Sequence, residues 1–262
     1  MNRIWIIALN TISDMFRRKV LYIGGVATLV FELPSIATFF QSRYLTQAEF
    51  LQAAFVHQRN TIAFFNVWTT ASIYLGIALS SVVLSWELRD RTILTVLARP
   101  VSRVEFLIAK WLGVLITTLA FLAIGVILGV LYAWDLNVAI LPMLKLALAA
   151  TVVSIVCFSA VGMTLSTFLS PVTTSIIGIF MVMAPDLVKY LFAHRLALVR
   201  AIASVLYFAF PSGMPVSLIS ESFGKVILSP NYGLYSRVML ENFLYGAFAF
   251  LLAGVVFSRR QI

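Results

Sequence analysis

Reactive side chains are few in this sequence, and their spacing supports little chemistry. There are two histidines, His57 and His194, and a single cysteine, Cys157. Gly224-Lys225 lacks the rest of a G-x-x-x-x-G-K-[ST] loop, so the chain is not expected to hydrolyse ATP itself. Neither HExxH nor GxSxG occurs. Both histidines fall in segments read as external, where solvent exposure is a simpler role than metal ligation. Met181-x-Met183 is a soft pair, but methionine in an apolar helix usually fills space, and two thioethers do not complete a site. A lone mid-span cysteine cannot form an intrachain disulfide and reads as packing. An external active site would have to draw on Asp186, His194 and Glu221, whose spacing supplies no convergent set of acid, base and nucleophile. The expectation is a non-enzyme that binds no metal or cofactor of its own.

Ionisable groups inside apolar runs are a second source of function, because a charge at mid-bilayer costs about 2.5–3.5 kcal/mol on the insertion scale. Glu32, Asp186 and Glu241 qualify. Asp186 and Glu241 have cations nearby in sequence, Lys189 and Arg237, and pairing with them is the simpler reading. Glu32, beside Pro34 and about a dozen residues into its run, is the stronger candidate for a translocation pathway, with Asp186 the second.

The densest charge lies in residues 86–110, WELRDRTILTVLARPVSRVEFLIAK, between two long apolar runs. Ile93, Leu94, Val96 and Leu97 make a helical stripe, with Arg89, Asp90 and Arg99 on other faces. Pro100 stops that helix, because it lacks an N–H and biases Arg99 away from helical geometry. Ser102-x-x-Glu105 then predicts a capping box, flanked by Val101 and Phe106 at staple positions. Two readings are open. A basic loop sets membrane topology by charge alone. A docking element needs the stripe, the proline corner and the cap together, and all three are present.

The elements that hold these residues follow from composition. Of 262 residues, 61% are hydrophobic and 11% charged, far from the roughly one-quarter charged of soluble domains. The apolar runs are long enough for helices and lack the alternation of barrel strands. The predicted class is therefore all-α and polytopic, one transmembrane domain over 1–262 with six spans: 20–40, 61–85, 106–133, 141–169, 172–192 and 239–257. Residues 41–60 read as a polar external loop, and 193–238 as an external segment with interfacial or re-entrant helices, since its apolar stretch from Leu196 to Phe210 is short for a crossing. Residues 1–19 read as an interfacial helix, with Trp5, Ala8, Leu9, Ile12, Met15 and Phe16 on one side and Arg3, Asn10, Asp14 and Arg17 on the other. Small residues at Ser72, Gly76 and Ser80, at Gly125 and Gly129, and at Gly162, Ser166 and Ser170 mark faces for close helix contact. Trp86 and Trp111 mark one membrane interface, Tyr132 and Trp134 the other.

The net charge of +9 raises nucleic acid as a partner. However, Arg3, Arg17, Arg18, Lys19, Arg89, Arg91, Arg99, Arg103, Lys110, Arg259 and Arg260, eleven of the 19 basic residues, fall on one side of a six-span topology. That is the positive-inside pattern, so the charge reads as topology with both termini cytoplasmic and not as nucleic-acid binding.

Glu87, Thr92, Pro100-Val101-Ser102-Arg103 and Lys110 together resemble the signature of permease subunits of the type-2 ABC exporter family, with Arg91 standing where that family has glycine. The resemblance implies a six-span type V exporter fold, an N-terminal elbow helix, and a coupling helix over 86–105 that inserts into a separate ABC ATPase. It implies Glu87, Arg89, Asp90, Arg91, Thr92, Arg99, Pro100 and Arg103 as the ATPase-coupling residues. ATP and Mg would sit on the partner, and a second permease copy, identical or related, would complete the transporter in the cytoplasmic membrane among its lipids. The cargo would be a peptide, antibiotic, lipid or other amphipathic molecule. A membrane enzyme with an external active site and a non-transporting scaffold or immunity protein are the alternatives.

Overall fold

The computed structural model describes residues 3–17, 22, 25–26, 28–30, 47–89, 102–135, 141–193, 197–211 and 232–259. Some side chains within these, including those of 47–60, 86–89 and Asp186, fall outside the description. The described residues form helices and turns with no strand. In chain order the helices are α1 (Arg3–Arg17), α2 (Gln47–Arg89), α3 (Arg103–Asp135), α4 (Leu141–Ser166), α5 (Pro171–Phe192), α6 (Ala197–Ala209) and α7 (Tyr232–Arg259).

Four of them contain segments long and apolar enough to cross a membrane: Thr61–Ser85, Arg103–Leu131, Leu144–Ser166 and Tyr235–Arg259. In α5 the apolar part, Pro171–Pro185, is shorter. Of the first expected span, 20–40, only residues 22, 25–26 and 28–30 are described, and they are helical. The expected loop at 41–60 differs from the structure, where α2 is continuous for 43 residues from Gln47. At 1.5 Å per residue it is about 65 Å long, roughly twice the hydrocarbon thickness of a bilayer. The reason is local: QAEFLQAAFVHQRN is polar, but it holds no Gly or Pro and is rich in good helix formers. Polarity did not mark a break in the helix.

α4 is the hub, packed by α2, α3, α5 and α7. Its membrane segment is 67% buried, against 28% for that of α7. The central cluster joins Ile73 and Ile77 of α2, Leu115 and Leu122 of α3, Ile155, Phe158 and Val161 of α4, Met181 and Val182 of α5, and Ala249 of α7. α4 ends in a tightened turn, with Thr167 N donating to Thr164 O at 3.1 Å and Phe168 N to Leu165 O at 3.0 Å. Ser170 then caps α5: its Oγ accepts from Thr173 N at 3.3 Å, and Pro171 takes the first helical position, where no amide donor is needed.

Candidate coupling site

α2 stays helical past Ser85 to Arg89, so Glu87 and Arg89 stand on its last turn and not on a separate short helix beginning at residue 86. Asp90, Arg91, Thr92, Arg99 and Pro100 lie outside the described residues. The chain returns to view at Ser102, where the capping box forms: Ser102 N donates to Glu105 Oε2 at 2.8 Å, and Glu105 N donates to Ser102 Oγ at 3.2 Å. Two otherwise orphan donors are satisfied, so the start of α3 is fixed.

Below that start the helices converge. Leu84 of α2, Phe106 and Leu107 of α3, Met163 of α4, and Ala253 and Phe257 of α7 form one buried cluster, with Ile7 of α1 packed on it. The rings of Phe106 and Phe257 stack with centroids 6.3 Å apart and planes 15° from parallel. Arg103 reaches across the chain to the end of α7, where its guanidinium donates a long 3.4 Å hydrogen bond to Ser258 O. Two turns along α3 from Arg103, Lys110 is 5% exposed, with Nζ 5.6 Å above the Phe106 ring. A cation over an aromatic face gains about 0.5–2 kcal/mol, more as water is excluded.

Trp111, expected at a membrane interface, is turned toward the other helices. Its Nε1 donates to Ser159 Oγ at 3.0 Å and its ring lies 4.4 Å from that of Phe250, so it ties α3 to α4 and α7 inside the bundle. Trp134, 80% exposed, keeps the outward position expected of an interfacial anchor. The interior hydroxyl of Ser159 decided the matter for Trp111, because a buried indole N–H needs an acceptor.

α1 is seated on the same end. Ala8, Thr11 and Met15 are its buried residues, while Trp5, Ile6, Leu9 and Phe16 are exposed on an adjacent arc. The predicted single apolar stripe therefore splits into a protein-facing sector and an outward apolar sector. The seat is Gly113: a Cβ there would stand 2.8 Å from Thr11 Cβ and 3.0 Å from Ala8 O. Only glycine lets the two backbones approach this closely.

Other predicted residues are more scattered. Glu32 lies outside the described residues, as do His194 and Glu221. Asp186 is on α5 directly after Pro185, and its side chain is not described. Glu241 pairs with Arg237, Oε1 to Nε at 2.7 Å, one helical turn apart as its sequence spacing suggested. The small-residue face of α2 works as expected: Ser72 and Ser80 are fully buried, and Ser80 faces Gly162 of α4. Gly125 and Gly129 act differently. They are sockets for rings of α2, Trp68 at Gly125 and Phe65 at Gly129, and Trp68 Nε1 donates to Phe121 O at 3.0 Å. Nothing in the GxxxG spacing distinguishes a backbone contact from a ring socket.

The model of the family described as ABC-2 family transporter protein matches residues 15–185, well over half of the chain. The chain belongs to the ABC-2 transporter family. No curated protein matches it. As an ABC-2 permease it is a multi-pass membrane protein and a transport component. The matched region takes in α2, α3, α4 and α5 as far as Pro185, with residues 86–105 inside it, and stops short of α6 and α7.

Proposed function

We propose that this ABC-2 permease is the membrane subunit of an ATP-driven exporter, with six crossings, working as a pair with a second copy or a related chain. Its bend faces the cytoplasm together with both termini, and a separate ABC ATPase docks there. Glu87, Arg89, Asp90, Arg91, Thr92, Arg99 and Arg103 supply polar contacts and Pro100 the corner. ATP and Mg are held by that ATPase; this chain supplies no catalytic group and binds neither metal nor cofactor. Surrounding lipid covers the outward apolar faces, and Glu32 and Asp186 border the pathway of an amphipathic cargo. Closure of the ATPase pair pushes the bend and tilts the helices between two arrangements.

The observation that carries this reading is the convergence of α1, α2, α3, α4 and α7 on one cluster beside the end of α2 and the start of α3, the two helix ends that residues 90–101 join in sequence. A loop that served only as a topology signal would need no rigid seat; a lever does.

The test is to purify the tagged chain from native membranes and assay the ATPase that accompanies it. Glu87→Arg with Arg99→Glu should cut both co-purification and membrane-stimulated ATP hydrolysis at least about tenfold, equivalent to roughly 1.4 kcal/mol of docking free energy. Full transport by the double variant, or by the chain with no ATPase present, rejects the proposal. An enzyme or a scaffold would be indifferent to both changes.

A further inference from the structure

Force entering at a bend is useful only if something fixed carries it into the bundle, and the direct sequence neighbours, α2 and α3, are the obvious carriers. The contacts at the start of α3 indicate a less obvious one. Arg103 and Phe106, the first and fourth residues of α3, both engage the last turn of α7, which is 155 residues away along the chain at the Arg103–Ser258 contact. Phe106 and Phe257 are both fully buried. Ala253, one turn before Phe257, is in the same cluster, and Phe250, one turn before that, meets Trp111. The side chains of α3 at 103, 106 and 111 thus meet α7 at 258, 257 and 250, as two antiparallel helices in register would. Among the described residues, none of α5 or α6 belongs to the cluster at this end. α5 instead packs on α2, α4 and α6.

We propose that the end of α7 is clamped to the start of α3, so that the last helix moves with the bend as one rigid body, with Phe257 the principal positioning residue and Arg103 its outer brace. This rests on the reading of the bend as the input from an ATPase, but the clamp itself is a property of the chain alone. It gives Arg103 a second role beside partner docking, since its guanidinium also bonds the end of α7. α5 and α6, which are outside the clamp, are then the helices against which the body moves. The clamp also reaches beyond the part of the chain that matches the family model, since that match ends at residue 185.

The test uses the full chain in lipid vesicles, in a Cys157→Ala background, with spin labels introduced in pairs at exposed positions. One pair is Val104 with Arg259, across the clamp; the other is Val104 with Val172, from α3 to the start of α5. Dipolar EPR should give a narrow 104–259 separation that broadens roughly twofold with Phe257→Ala and returns to its original width with Phe257→Tyr, because packing of the ring fixes the spacing. Arg103→Gln, a surface change that spares the cluster, should broaden it by less. An unchanged 104–259 width in both Phe257→Ala and Arg103→Gln overturns the clamp, and so does a width that Phe257→Tyr fails to restore.

Addition of the co-purified ATPase with ATP and vanadate supplies the second arm. The expected result is a shift in 104–172 with 104–259 unmoved; an equal shift in both overturns the clamp. If neither pair shifts with nucleotide, the ATPase reading fails, and the widths without nucleotide still decide whether the clamp exists.

Discussion

At Gly246 the backbone of α7 lies so close to α4 that a Cβ would stand 2.7 Å from Cys157 Cα. One turn before it, Asn242 Nδ2 donates to Ser154 Oγ at 3.1 Å, and about one turn after it Thr164 Oγ1 donates to Ala249 O at 2.7 Å. The contact of α5 with its neighbours is of another kind. Ser81 and Ser175 share a hydroxyl pair at 2.7 Å, and Gly178 receives the side chain of Ile77. The Thr174 hydroxyl is buried with no partner among the described residues, and Pro185 removes a rung from the α5 ladder. Within lipid, where apolar burial gains little, backbone approach and dispersion carry association, and an interhelical hydrogen bond adds about 0.6 kcal/mol on average. The α4–α7 seam has both contributions in register. The α5 seam has a side chain in a socket and one hydroxyl pair; each seam holds one buried oxygen without a partner among the described residues, Asn242 Oδ1 on α7 and Thr174 Oγ1 on α5. The difference separates a body that moves together from the flank it moves against.

Substitutions can break or sharpen this contrast. The largest effect is expected from Gly246→Leu, which forces the α4–α7 backbones apart and should cost about 3 kcal/mol, the upper end for overpacking. Thermal unfolding of the detergent-solubilised protein measures it, with Gly254→Leu as the control, since a Cβ at Gly254 meets nothing within 4 Å. Equal melting temperatures for the two variants would mean the seam is not tight. Thr164→Val leaves the packing volume intact and removes the bond to Ala249 O, for an expected loss of about 1 kcal/mol, within the range for hydrogen bonds between membrane helices. Ser175→Ala removes the pair with Ser81, and about 0.6 kcal/mol or less should be lost, so a larger loss than for Thr164→Val would invert the ranking of the two seams. The smallest effect belongs to Thr174→Val. Replacing a buried unpartnered hydroxyl with a methyl should leave stability unchanged or raise it slightly, and a clear fall in melting temperature would show that Oγ1 has a partner in the membrane.

Several features of the fold and the candidate site were legible along the chain because their partners lie within one or two helical turns. The Ser102–Glu105 box is a relation three residues long and the Arg237–Glu241 pair four, whereas Ser170, read as part of a packing face, caps α5. The buried side of α1 was visible in Ala8 and Met15, though Trp5, Leu9 and Phe16 share the stripe and face outward. The start of α2 at Gln47 was missed because polarity was read as a loop. Polarity reports where a segment lies; the absence of glycine and proline reports whether the helix goes on. The inward turn of Trp111 onto Ser159 and the bond from Trp68 to Phe121 O had no sequence signal, since the partners are 48 and 53 residues away.

By itself, the sequence determined the membrane class, the helical character, the helix caps and the local ion pair, because these follow from composition and from contacts at helical spacing. Tertiary structure alone decided which apolar face is inside. Lipid is as apolar as the protein core, so hydrophobicity does not distinguish Phe257, wholly buried, from Phe248, two-thirds exposed on the same helix. Shape makes that choice, through glycines placed where a backbone or a ring must fit, and so it was the packed bundle that gathered α1, the start of α3 and the end of α7 on one cluster.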